Sequence, residues 1–134
     1  MANVSDGVYR ITLFDRPAFL GESLRDTLAL VGKAEALSWE IRRADGSDQY
    51  TLRVAGTDRF VGYSSDSPLP MAMVVLGPHQ RRWALRGGPA EDTVMIAAAG
   101  TDLTFGLAPV MVYPPLLALS PPYDRDLPWT LEPA

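Results

Sequence analysis

The 134 residues carry a formal charge of −4, no cysteine, 47% apolar and 21% charged residues. That length suits one hydrophobic core, the apolar share excludes disorder of the bulk chain, and the acidic balance without a basic stripe argues against nucleic acid as a partner. Without thiols there are no disulfides, thiolate metal sites or cysteine nucleophile, so packing alone must hold the fold.

Met1 to Gly7 contain no basic segment leading into an apolar run, which gives cytoplasmic residence as the expectation. Four short apolar alternations follow in order: Val8-Tyr9-Arg10-Ile11, Phe19-Leu20-Gly21, Leu28-Ala29-Leu30 and Trp39-Glu40-Ile41. A second set of four reads Gln49-Tyr50-Thr51-Leu52, Phe60-Val61-Gly62, Val74-Val75-Leu76 and Trp83-Ala84-Leu85. A third reads Thr93-Val94-Met95-Ile96, Thr104-Phe105-Gly106, Leu117-Ala118-Leu119 and Trp129-Thr130-Leu131. Such runs, rich in β-branched and aromatic residues and separated by 12 scattered prolines and 11 glycines, predict strands throughout. Ala34 to Ile41 is the one short helical candidate, and it ends in a Trp-x-Ile alternation that suits a strand better. The most apolar stretch, Leu103 to Leu119, is broken by Pro109, Pro114 and Pro115, so no membrane span is expected.

The three tryptophans, at 39, 83 and 129, keep step with the other three strand classes, and the chain divides into repeats of about 7–44, 47–87 and 91–132 within a single domain, 1–134. Four-stranded repeats of this length also describe propeller blades, but blades usually number at least four, whereas three such units can close into a short barrel. The pattern resembles the β-trefoil family over essentially the whole chain. The resemblance implies an all-β fold in which the first and fourth strands of each repeat build a six-stranded barrel and the second and third form a hairpin cap. The tryptophans are then expected in the core, with Tyr9 and Tyr50 beside them and their hydroxyls on polar partners.

No catalytic constellation emerges. His79, the one histidine, stands in the turn Gly77-Pro78-His79-Gln80, and no serine lies in a Gly-x-Ser-x-Gly setting, so the chain is expected not to be an enzyme. Asp45 and Asp48, and Asp124 and Asp126, lack a defined calcium loop, and Gly32-Lys33 lacks the rest of a phosphate loop; neither a metal nor a cofactor is expected. The Arg81-Arg82 pair with Arg86 reads as a solvated face.

Ricin-type trefoil lectins carry Gln-x-Trp in each repeat. The triplets here are Leu37-Ser38-Trp39, Arg81-Arg82-Trp83 and Leu127-Pro128-Trp129, none of which keeps the glutamine. The opening Asp6-Gly7-Val8-Tyr9-Arg10-Ile11 and the segment Phe19 to Leu28 instead look like the mushroom β-trefoil protease inhibitors. That resemblance implies a serine-protease inhibitor in which one exposed loop offers a basic residue to a trypsin-like pocket. Carried over by position, the loop between the second and third strands supplies Arg25, flanked by Leu24 and Asp26. The loop between the last two strands supplies Arg125 with Tyr123. Acidic neighbours count against both. The partner implied is a protease, with a glycan as the alternative of a carbohydrate-binding trefoil.

Overall fold

The computed structural model describes residues 4–14, 16–23, 26–44, 48–109, 112–121 and 127–134. Twelve strands follow one another: β1 (Gly7–Leu13), β2 (Phe19–Glu22), β3 (Leu28–Val31), β4 (Trp39–Arg43), β5 (Gln49–Val54), β6 (Phe60–Tyr63), β7 (Val74–Gly77), β8 (Trp83–Gly87), β9 (Val94–Ala98), β10 (Thr104–Leu107), β11 (Leu117–Ser120) and β12 (Trp129–Pro133). Each coincides with the alternation that predicts it, β9 beginning one residue after Thr93. The helical candidate reduces to one 3-10 turn at Lys33–Glu35, ahead of the strand that begins at Trp39.

Six strands close a ring by antiparallel pairing, in the order β1, β4, β5, β8, β9, β12 and back to β1. Closure removes the edges that an open sheet would present to other chains. The remaining strands form three hairpins, β2 with β3, β6 with β7 and β10 with β11. Their second strands meet cyclically, Thr27 bridging Val75, Met73 bridging Ala118 and Leu116 bridging Ala29. Gly21, Gly62 and Gly106 lie opposite Ala29, Val75 and Ala118, so these bridges join the same position of each repeat to the same position of the next. This is the threefold trefoil cap that the sequence resemblance implies.

The core follows from the repeat. Trp39 stands between Tyr9 and Val54, Trp83 between Tyr50 and Ala98, and Trp129 between Val94 and Leu13. All three indoles are fully buried. Burial of an indole removes about 150–250 Å² from water, worth roughly 4–6 kcal/mol before the entropy of ordering is set against it. Phe105 bridges two of them, edge-on to Trp83 at 5.1 Å and to Trp129 at 6.1 Å between ring centroids. Ile11, Leu52 and Ile96 fill the next layer, one from each repeat.

Buried indole N–H groups need acceptors. Trp39 Nε1 donates to the Leu20 carbonyl at 3.1 Å and Trp83 Nε1 to the Val61 carbonyl at 3.0 Å. Trp129 Nε1, equally buried, finds no acceptor among the described residues. Both tyrosines meet their expected polar partners: the Tyr9 hydroxyl donates to the Ser5 carbonyl at 2.7 Å, and the Tyr50 oxygen accepts from the Val4 N–H at 3.3 Å.

Two hairpin turns share the sequence Ala-Gly-Thr-Asp, at 55–58 and 99–102. Gly56 and Gly100 both adopt φ +78°, a left-handed conformation that favours glycine. Thr57 and Thr101 each donate a side-chain hydrogen bond of 2.8 Å back to the strand end, on the Val54 and Ala98 carbonyls. The same local chemistry therefore sets the same turn in the second and third repeats.

Candidate functional site

The β2–β3 loop runs from Ser23 to Thr27. The Ser23 N–H donates to the Thr27 carbonyl at 2.7 Å, and Thr27 is itself bridged to Val75 in the cap. Asp26 turns the chain with φ 61°, a left-handed position that aspartate tolerates better than most residues. Leu24 and Arg25 lie outside the described residues. So do Tyr123 and Arg125 of the loop between β11 and β12, and the acids Asp45, Asp124 and Asp126.

Of the predicted site residues, Asp26 is the one whose surroundings are described, and they change its meaning. Arg59, at the start of the second repeat's hairpin, donates to the Asp26 carboxylate and to both oxygens of Glu22, the Nη1 to Oε1 bond being 3.0 Å. The guanidinium is held above its ordinary pKa chiefly by donation to Glu22, against partial burial, with Asp26 adding to the effect. One cation from the neighbouring repeat thus ties the end of β2 to the loop residue that follows Arg25 in sequence. Arg59 was missed by sequence reasoning, because it is 37 residues from Glu22 and 33 from Asp26. Only the threefold packing brings it there.

Beside this loop lies a depression of about 440 Å³ lined by Glu22, Ser23, Gly32, Glu35, Tyr113 and Pro114. Tyr113, joined to Pro114 by a cis peptide bond, is 94% exposed. An exposed aromatic face next to two carboxylates can stack on an apolar face and accept hydrogen bonds from hydroxyl groups.

Other sequence candidates have structural employment or none. Arg81 lies over the Tyr63 ring at 4.6 Å and donates to the Asp66 carbonyl at 3.0 Å, and it packs against Gly62. Arg86 pairs with Asp102 at 3.2 Å, while Arg82 and His79 are exposed. Among the described residues no group of three or more acids or histidines is placed to hold a metal ion, and no helix is long and apolar enough to cross a membrane.

No protein-family model and no curated protein sequence matches the chain. Solved structures do. A ricin B-like lectin from Macrolepiota procera, solved in complex with lactose, superposes with TM-score 0.78 at 19% identity, covering 99% of this chain and 100% of the other. The Rhizoctonia solani agglutinin gives TM-score 0.77 at 15% identity over 100% and 99%. A proteinase inhibitor from Coprinopsis cinerea gives 0.69 at 15% identity over 98% and 100%. These neighbours are binding proteins of two kinds, lectins and an inhibitor, and at such identities the likeness speaks for the architecture. The closed six-strand barrel, the cyclic cap and these superpositions together make the chain a β-trefoil protein.

Proposed function

We propose that the chain inhibits a trypsin-like serine protease, with Arg25 of the β2–β3 loop entering the specificity pocket and Leu24 packing beside it. The observation that carries this reading is the Arg59 clamp. The sequence objection to Arg25 is its acidic neighbour, whose charge would oppose the acid at the base of a trypsin-like pocket. Arg59, shared with Glu22, partly offsets that charge and ties Asp26 to the end of β2. A loop already fixed at both ends loses little freedom on binding, which is how a standard-sized interface becomes tight. The Coprinopsis cinerea inhibitor supports the reading as a protein of the same architecture. Tyr123 and Arg125 form the alternative contact loop.

Titration of trypsin with the purified protein tests it. Activity should fall in proportion to added protein, Arg25→Ala should weaken inhibition by about 100-fold or more, as for a buried interface anchor, and Arg125→Ala should leave it unchanged. Absence of inhibition by the native protein would reject the proposal, and loss with Arg125→Ala alone would move the site to the other loop.

A second reading, carbohydrate binding, has its own observation in the Tyr113 platform beside Glu22 and Glu35. The lectin neighbours support it. A glycan array separates the two: sugar binding lost with Tyr113→Ala but kept with Arg25→Ala would favour the lectin reading.

A further inference from the structure

The three strand junctions at this level of the barrel differ: Pro133 stands opposite Tyr9, Arg43 opposite Tyr50 and Gly87 opposite Val94. In the second repeat Tyr50 stands opposite Arg43 across the β4–β5 ladder. The Arg43 guanidinium lies 5.6 Å from the Tyr50 ring centroid and donates to the phenol oxygen at 3.1 Å. Arg43 is held above its ordinary pKa by Tyr50 first, with Asp48 and Asp6 adding. Tyr50 is 2% exposed, and the exposed Arg43 lies over its ring at the junction.

At the matching junction of the third repeat both members are gone. Val94 takes the tyrosine's place, as its shared pairing with the repeat tryptophan shows, and the residue opposite it across the β8–β9 ladder is Gly87. The acid two positions before the tyrosine, Asp48, has its counterpart in Asp92, two positions before Val94. A hollow of about 750 Å³ opens there, with Val94, Tyr9, Leu131 and Gly87 among its lining and Glu91 and Asp92 on it. Neither carboxylate forms an ion pair among the described residues. Gly88 on the lining packs directly against Thr93, since a Cβ there would stand 2.2 Å from Thr93 Oγ1.

From this missing pair we propose that the hollow binds a small cationic aromatic, a phenol or similar ring on an aminoalkyl arm, with the ring against Val94 and the ammonium facing Asp92 and Glu91. The ligand restores from outside what Tyr50 and Arg43 supply internally one repeat earlier. Apolar contact holds the ring, and two carboxylates with no ion pair among the described residues select the positive arm over a neutral one. The site lies away from the β2–β3 loop and stands independently of protease inhibition. A free aromatic amine and the N-terminal tyrosine of a peptide share this chemistry.

Calorimetric titration of the intact protein with tyramine, with 4-ethylphenol and with Tyr-Gly-Gly amide tests the site. Tyramine should bind with a Kd of about 1 mM or tighter, ordinary for a ligand of that size. The neutral 4-ethylphenol should bind about fivefold more weakly. Tighter binding of the peptide than of tyramine would assign the site to a chain terminus, and the reverse to a free amine. Val94→Tyr, which rebuilds the ring, should weaken tyramine at least about tenfold while keeping the native denaturation midpoint. Should that variant not fold, the Glu91→Gln, Asp92→Asn pair decides: tyramine should fall to the level of 4-ethylphenol, whose own binding stays unchanged. No tyramine binding by the native protein, equal affinity for the amine and the neutral phenol, or tyramine affinity unaffected by folded Val94→Tyr would each overturn the proposal.

Discussion

Replacing each tryptophan in turn by phenylalanine turns the threefold core into an internal control. All three indoles are fully buried, so the loss of ring volume costs each variant a similar amount in lost transfer energy and residual cavity. The hydrogen bonds differ. Trp39→Phe and Trp83→Phe also remove a buried donor from the Leu20 and Val61 carbonyls, at 3.1 and 3.0 Å. A net hydrogen bond is worth about 0.5–1.5 kcal/mol, rising to about 1–3 kcal/mol where the abandoned partner stays unsatisfied. Leu20 still accepts from the Leu37 N–H at 3.4 Å, which puts Trp39→Phe toward the lower figure. Trp129→Phe removes a donor that has no acceptor among the described residues, so it relieves a desolvation cost. Trp129→Phe should therefore be the mildest change, by about 0.5–1.5 kcal/mol relative to Trp39→Phe and about 1–3 kcal/mol relative to Trp83→Phe, or roughly 4 °C in Tm per kcal/mol at this chain length. Urea unfolding followed by far-UV circular dichroism gives the comparison, provided the slopes match. Equal losses at all three positions, or the largest loss at Trp129, would refute the assignment of distinct hydrogen-bond states to equivalent indoles.

Three further outcomes follow from particular contacts. Arg59→Gln should free Asp26 and weaken protease inhibition by about tenfold through a looser, more acidic loop. Its Tm should move little, because the network is partly exposed, and paired inhibition and melting curves check both halves. Glu40, which accepts from Arg53 Nε and lies 3.4 Å from Arg42 Nε, is held below the usual carboxylate range chiefly by Arg53, with Arg42 adding and partial burial opposing. A folded-state pKa below the unfolded value of about 4.3 gives stability that is present above that value and lost as pH falls through the folded pKa. The stability advantage of the native protein over Glu40→Gln should accordingly be constant near neutral pH and shrink progressively as pH falls below about 5 in denaturation curves. Gly88→Ala should destabilise by about 1–3 kcal/mol, since its Cβ would meet Thr93 side-chain and backbone atoms at 2.2 to 3.1 Å. Gly77→Ala, with nothing within 4 Å, should be near neutral in the same thermal melts.

The strands and the core were legible because they repeat. A Trp-x-apolar alternation at 39, 83 and 129, each preceded by matching short strands, could be aligned against itself without any other sequence. The threefold count decided between barrel and propeller, and the ladder registers agree with that alignment. What repeats do not encode is contact between repeats at unlike positions. Arg59 meeting Glu22 and Asp26 depends on where the second hairpin lies against the first, and no local pattern around Arg59 announces it. The third-repeat hollow was half legible: valine stands where two repeats have tyrosine, a difference visible in the aligned strands. That the residue opposite also changes, from Arg43 to Gly87, depends on ladder register and so needed the fold. Of the five site residues expected from sequence, Asp26 is described, and the structure makes it an anchored member of a charge network.

The most direct test of a recognition role for the β2–β3 loop is a crystal structure of the protein bound to trypsin. The account predicts Arg25 in the specificity pocket against its acidic floor, with Arg59 still bridging Glu22 and Asp26 behind the loop. A complex formed through another surface, leaving Arg25 in solvent, would contradict it.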